Sequence, residues 1–175
     1  MTDITDLLTR YKQQSPGRHV DVESLIRNLG LGLEPSADLP ENISGHIARE
    51  QERYVVRANG REHEYRRRFT MAHELGHYVL HRTLLDQADG VNDSKLYRTD
   101  INAPIYNSYI TQIHEQQANS FAANLLMPAD AVKTAHQELA ADGRVSLKRL
   151  YQRFKVSPSA MRWRLKNLGL PYDDD

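Results

Sequence analysis

The chain has 175 residues, 39% of them hydrophobic, with 23 Lys or Arg set against 23 Asp or Glu and no cysteine. That length buries one sizeable core and leaves no room for two large domains. The balanced charge removes general steering toward nucleic acid, membrane or acidic substrate. Having no Cys removes disulfides and thiolate metal ligands and fits a reducing compartment.

In chain order, "MTDITDLLTRYKQQ" has neither the basic start nor the apolar core of a signal peptide. No later segment approaches the ~20 apolar residues that span a bilayer, so a cytoplasmic protein without membrane contact is expected. Two short amphipathic helices come first, one carrying Ile4, Leu7, Leu8 and Tyr11. The other is capped by Asp21, carries Val22, Leu25, Ile26 and Leu29, and is stopped by Gly30. "GLEPSADLPEN" reads as loop, because its prolines and short polar residues break both periods. "ISGHIARE" and "RYVVRANG" read as two short strands, with Asn59-Gly60 as a turn.

Helical spacing then returns in "RRRFTMAHELGHYVLHR", through Phe69, Ala72, Gly76, Val79 and Leu80. Residues 83–105 read as an irregular connection with a strand near "KLYRT". A second strong helix follows in "YITQIHEQQANSFAANLLM", ended by Pro128, which suits the start of "PADAVKTAHQELA". The last segment, "SLKRLYQRFKVSPSAMRWRLKNLGL", reads as two helices with a helix-turn-helix layout. Met161 and Trp163 are expected to pack inward with Leu150, Phe154, Leu165 and Leu168, leaving Lys and Arg outward. The fold class expected is α+β: a small antiparallel or mixed sheet on a zincin-like pair of metal-binding helices, with a helical C-terminal portion. Residues 1–130 would form the first part and 131–175 the second.

Within "FTMAHELGHYVLH", His73 and His77 lie four apart on a helix, turned by only ~40° and displaced by ~6 Å, so both imidazoles can reach one cation. Glu74 flanks the same face, which completes the H-E-x-x-H arrangement. A zinc-bound water, its pKa lowered to about 7, still needs a base as it attacks, and a carboxylate at position 74 is placed to serve. The bland alternative is a chance match on an ordinary helix.

Three residues compete to be the third ligand. His81 would lie ~12 Å along the axis from His73, too far to share an ion, and reads as a surface or packing histidine. His63 has no spacing to recommend it. Glu115 is better placed, because Glu115, Ala118, Asn119 and Ala122 share one stripe whose alanines would let the second helix approach the Gly76 side of the first. For Glu115 the alternative is a solvated helix residue. Asn119, one turn on, can accept a hydrogen bond from a ligand imidazole and orient it. Tyr106, Tyr109 and His114 lie near the second helix as possible oxyanion donors.

"HELGHYVLH" followed downstream by "EQQANSFAANLLMP" resembles the ImmA/IrrE family of intracellular zinc metallopeptidases, and "FKVSPSAMRWRLKNLGL" is similar to the end of those domains. The resemblance implies Zn²⁺ held by His73, His77 and Glu115, with Glu74 as general base and acid. It also implies a protein substrate, a helix-turn-helix repressor whose cleavage induces genes, and a sheet edge able to hold an extended peptide. "RYVVRAN" is the edge strand expected. Two rival readings are a DNA-binding regulator and a non-catalytic scaffold that binds zinc for stability. The first draws on seven Lys or Arg (148, 149, 153, 155, 162, 164, 166) with no acid between Ser146 and Gly169. A protein partner is favoured over DNA, since the whole chain is neutral and ends in an acidic tail.

Overall fold

The computed structural model describes residues 19–88, 96–98, 110–141 and 143–174, together with Thr9 and Tyr11. The helix expected at "TDITDLLTRY" lies, apart from those two residues, outside them. The chain divides into two compact units, Val22–Ala122, and Ala123–Asp175 with Met1–Asp21. The architecture is α+β, with a small mixed sheet and mostly helices.

In the unit Val22–Ala122, helix α1 (Val22–Asn28) buries Val22, Leu25 and Ile26 and stops at Gly30, whose φ of 79° suits a residue without Cβ. Strand β1 (Gly32–Ala37) follows, where the sequence reading placed a loop. The prolines misled it. Pro35 sits where the pairing register shifts, between Glu34 and Ala37, on an outer strand that need not donate a hydrogen bond at that position.

Strands β2 (Gly45–Glu50) and β3 (Arg53–Asn59) form the expected antiparallel pair, and the short β4 (Leu96–Arg98) pairs with β2. The order is β1-β3-β2-β4, with β1 parallel to β3, so "RYVVRAN" is central and the edges are β1 and β4. This corrects the expected edge. Its burial says the same, because Tyr54, Val55, Val56, Ala58 and Asn59 are all buried, a run with no solvent face. Arg57 ties the strands, pairing with Glu34 on β1 and Glu50 on β2. The guanidinium beside it holds the Glu34 carboxyl below its ordinary value.

Helix α2 (Glu64–Leu80) packs on this sheet and buries Thr70 through Tyr78. The crossing is tight at Gly45, where a Cβ would lie 2.4 Å from Thr70 Cγ2 and 2.5 Å from the Arg57 carbonyl oxygen. Residues Arg82–Ala88 form a further helix, α3, rather than the irregular chain expected, anchored by a 2.7 Å hydrogen bond from the Tyr54 hydroxyl to Asp86. Helix α4 (Gln112–Leu126) runs from this unit into the second.

The second unit holds α5 (Ala129–Leu139), with Pro128 as its N-cap, a two-stranded parallel pair of β5 (Val145–Ser146) and β6 (Tyr172–Asp173), and helices α6 (Leu147–Phe154) and α7 (Pro158–Leu168). Ser146 and Ser157 cap these last two helices, accepting from the Arg149 and Ala160 amides. Leu150, Phe154, Met161 and Leu165 are buried as expected, but Trp163 is 52% exposed and Arg164 only 8%. The buried stripe runs 161, 164, 165, which turns position 163 to solvent. Arg164 is held there by hydrogen bonds of 2.9 Å to the Met127 carbonyl oxygen and to Asn124 Oδ1. Among the described residues no helix is long and apolar enough to cross a membrane.

Candidate metal centre

His73, Glu74 and His77 lie mid-helix on α2, each 1% exposed. Their burial follows from the packing of α2 against both the sheet and α4. At Gly76 the two helices nearly touch: a Cβ there would stand 3.1 Å from Phe121 Cδ1 and 3.2 Å from the backbone of Ala118. Ala118 and Ala122 are fully buried, so the small-residue stripe read from the sequence is where the helices meet. This close approach carries Glu115 to the histidines.

Glu115 Oε2 lies 3.2 Å from His73 Nε2 and Oε1 lies 3.2 Å from His77 Nε2, while the two Nε2 atoms are 3.0 Å apart. One ligand atom from each residue falls within 4.8 Å of the others. Burial works against charge on Glu115, yet the facing imidazoles of His73 and His77 outweigh it and hold the carboxyl well below the usual carboxylate range.

The arrangement fits a metal ion. Asn119 Oδ1 lies 3.0 Å from His73 Nδ1, and an amide oxygen only accepts, so the His73 proton sits on Nδ1 and a lone pair faces the carboxylate from Nε2. Electron pairs from two imidazoles and a carboxylate so aimed need a cation or proton between them. Tetrahedral zinc, with ligands at about 2.0–2.2 Å, would set its ligand atoms roughly 3.3 Å from one another, close to the spacing present.

Two histidines dismissed as ligands have other places. His63 caps α2, its Nδ1 accepting from the Tyr65 amide at 3.2 Å. His81 is buried between His77 and Gln117, with Nδ1 3.1 Å from His77 Nδ1 and Nε2 2.9 Å from Gln117 Oε1. Burial pushes its imidazole pKa down, against the Gln117 hydrogen bond and with help from His77 and His114. The sequence signal for His81 was the continued four-residue repeat, which puts it on the stripe of His73 and His77. Of the three oxyanion candidates, Tyr106 and Tyr109 lie outside the described residues. The His114 ring packs 4.8 Å from that of His81, and its Nδ1 accepts from the Thr111 amide.

Comparisons with known proteins point the same way. The model of the IrrE N-terminal-like domain, a peptidase family, matches residues 36–166. The radiation response metalloprotease IrrE of Deinococcus radiodurans is 30% identical over 162 residues, covering 91% of this chain and 44% of that protein. A solved transcriptional regulator of Mycobacterium tuberculosis has a similar fold, with a TM-score of 0.58 at 17% identity, covering 95% of this chain and 47% of that one. The chain thus spans less than half the length of either. With the family model covering most of the chain around a buried His-His-Glu cluster, this protein belongs to the ImmA/IrrE family of metallopeptidases.

Proposed function

We propose that the chain is a cytoplasmic, zinc-dependent endopeptidase of the H-E-x-x-H type that cleaves a helix-turn-helix repressor and so induces its genes. The observation that carries this is the convergence of His73, His77 and Glu115 at 3.0–3.2 Å. Two imidazoles with one carboxylate favour zinc over the hard, oxygen-seeking cations Ca²⁺ and Mg²⁺. A zinc ion held there supplies a Lewis acid that acidifies water and polarises a carbonyl.

The protein groups divide the remaining work. His73 and His77 would hold the ion through Nε2 and Glu115 through its carboxylate, three protein ligands as a catalytic zinc site has. Asn119 keeps the His73 proton on Nδ1. Glu74 accepts a proton from the attacking water on its carboxylate and delivers it to the nitrogen of the leaving amine. An extended substrate would pair with a sheet edge, and with β3 central the candidates are β1 and β4. The zincin-like helix pair and peptidase activity belong to residues 1–130, and residues 131–175 form a helix-turn-helix-like accessory portion.

Protein rather than DNA remains the favoured partner. Of the basic residues in that portion, Arg153 pairs with Glu138, Arg162 pairs with Asp174, and Arg164 is buried. Charge neutralised within the unit is poorly available to phosphates.

The test is to incubate zinc-loaded protein with a panel of helix-turn-helix repressors and sequence the fragments. We expect a discrete cut in one of them, lost with chelator and lost in Glu74→Gln. Cleavage that survives chelation would overturn the metal mechanism, and an intact panel would overturn the choice of substrate.

A further inference from the structure

His81 closes the "HELGHYVLH" stretch, yet the proposed chemistry gives it no task. It is 6% exposed, too buried for a surface residue, and its ring centre lies 5.2 Å from that of His77. Both of its nitrogens are engaged, Nδ1 with His77 Nδ1 at 3.1 Å and Nε2 with Gln117 Oε1 at 2.9 Å.

The proton count along this line is fixed by its end. Gln117 Oε1 can only accept, so the His81 proton lies on Nε2 and a lone pair lies on Nδ1. That lone pair faces His77 Nδ1, which must then be the donor. With its proton on Nδ1, His77 presents a lone pair at Nε2, toward His73 and Glu115. The opposite polarity would put a hydrogen on His77 Nε2, aimed into the site, and leave nothing there for a cation to bind.

The geometry points to His81, held by Gln117, as a positioning residue that fixes the tautomer and ring orientation of His77 and so sets the zinc affinity of the site. This rests on the zinc reading above. It makes the site symmetric in logic: α4 orients His73 directly through Asn119 and orients His77 through Gln117 and one intervening imidazole. Partners of ligand histidines are typically worth about 10 to 100-fold in metal affinity. A histidine that only filled space could be exchanged for leucine with no such loss.

The experiment measures zinc affinity by competition with a chelating dye, with folding followed by circular dichroism, for the wild type, His77→Ala, His81→Leu, His81→Asn and Gln117→Leu. His81→Leu is expected to bind about 10 to 100-fold more weakly. His81→Asn, whose Oδ1 takes the place of the imidazole Nδ1, should restore most of that loss. Gln117→Leu changes an exposed position and should also weaken binding. Wild-type affinity in His81→Leu, or equal weakness in His81→Leu and His81→Asn, would overturn the assignment. If His81→Leu fails to fold, wild-type affinity in Gln117→Leu would do so instead. A wild-type protein that takes up no zinc, or His77→Ala that keeps it, would sink the zinc reading itself and is thereby told apart.

Discussion

Single side chains decide whether the cluster is a metal site. Asn119 bonds His73 at 3.0 Å from an exposed position, so Asn119→Ala should leave the fold intact. It should also lower zinc affinity by about 10 to 100-fold in dye competition, the usual range for a group that orients a ligand imidazole. Unchanged affinity would return Asn119 to the helix surface. Glu74→Gln should bind zinc as the wild type does and cleave nothing, because an amide cannot take the proton of the attacking water; cleavage at the wild-type rate would refute its role. At this scale the sequence was informative where a residue's placement depends on spacing within one helix, as for His73, Glu74 and His77. The stripe of Ala118 and Ala122 then brought Glu115 into view. For His81 the spacing bears on a shared ion and says nothing of its contact with His77. Its partner Gln117 comes from another helix, and no one-dimensional spacing reports that contact.

Between elements, the site depends on how closely α2 and α4 approach. Gly76 is the narrow point, and two opposing effects act there. Replacing a helix glycine with alanine gains up to about 1 kcal/mol of helix propensity. Overpacking against fixed neighbours costs typically about 1–3 kcal/mol, and here two of the three contacts are backbone atoms of Ala118. Gly76→Ala should therefore be close to neutral in urea unfolding. Gly76→Val, which adds bulk and a β-branch without further propensity gain, should destabilise by about 1–3 kcal/mol and weaken zinc binding as Glu115 is pushed away. A valine variant of wild-type stability and affinity would show that the helices are free to part. The strands were less legible than the helices. β1 carries a proline at an irregularity and so lost its strand signal. With β1 read as loop, the strand that flanks β3 on its other side is absent from the reading, and β3 is expected at the edge. Helix α7 shows the limit of apolar spacing, which places Trp163 inward with Met161 and Leu165 and leaves Arg164 outward, the reverse of their burial. The arginine instead reaches carbonyl and amide oxygens near the end of α4, which no local pattern announces.

For the whole molecule, class and family were readable because the two helices that bring His73, His77 and Glu115 together carry their pattern in contiguous residues, while sheet order depends on pairings distant in sequence. Binding at the cluster should stabilise the folded chain by mass action, by about 4 kcal/mol when free zinc is a thousand times the dissociation constant. Chelation should then lower the melting temperature of the wild type and leave that of His77→Ala unmoved, which thermal unfolding by circular dichroism can follow. An equal shift in both would place the stabilising ion elsewhere. The central claim is that Glu115 from α4 joins His73 and His77 from α2 around one zinc ion. Elemental analysis of purified wild type and Glu115→Ala, both shown to be folded, tests it most directly. Stoichiometric zinc in the wild type and little or none in Glu115→Ala is the predicted result, and full zinc occupancy in the variant would contradict it.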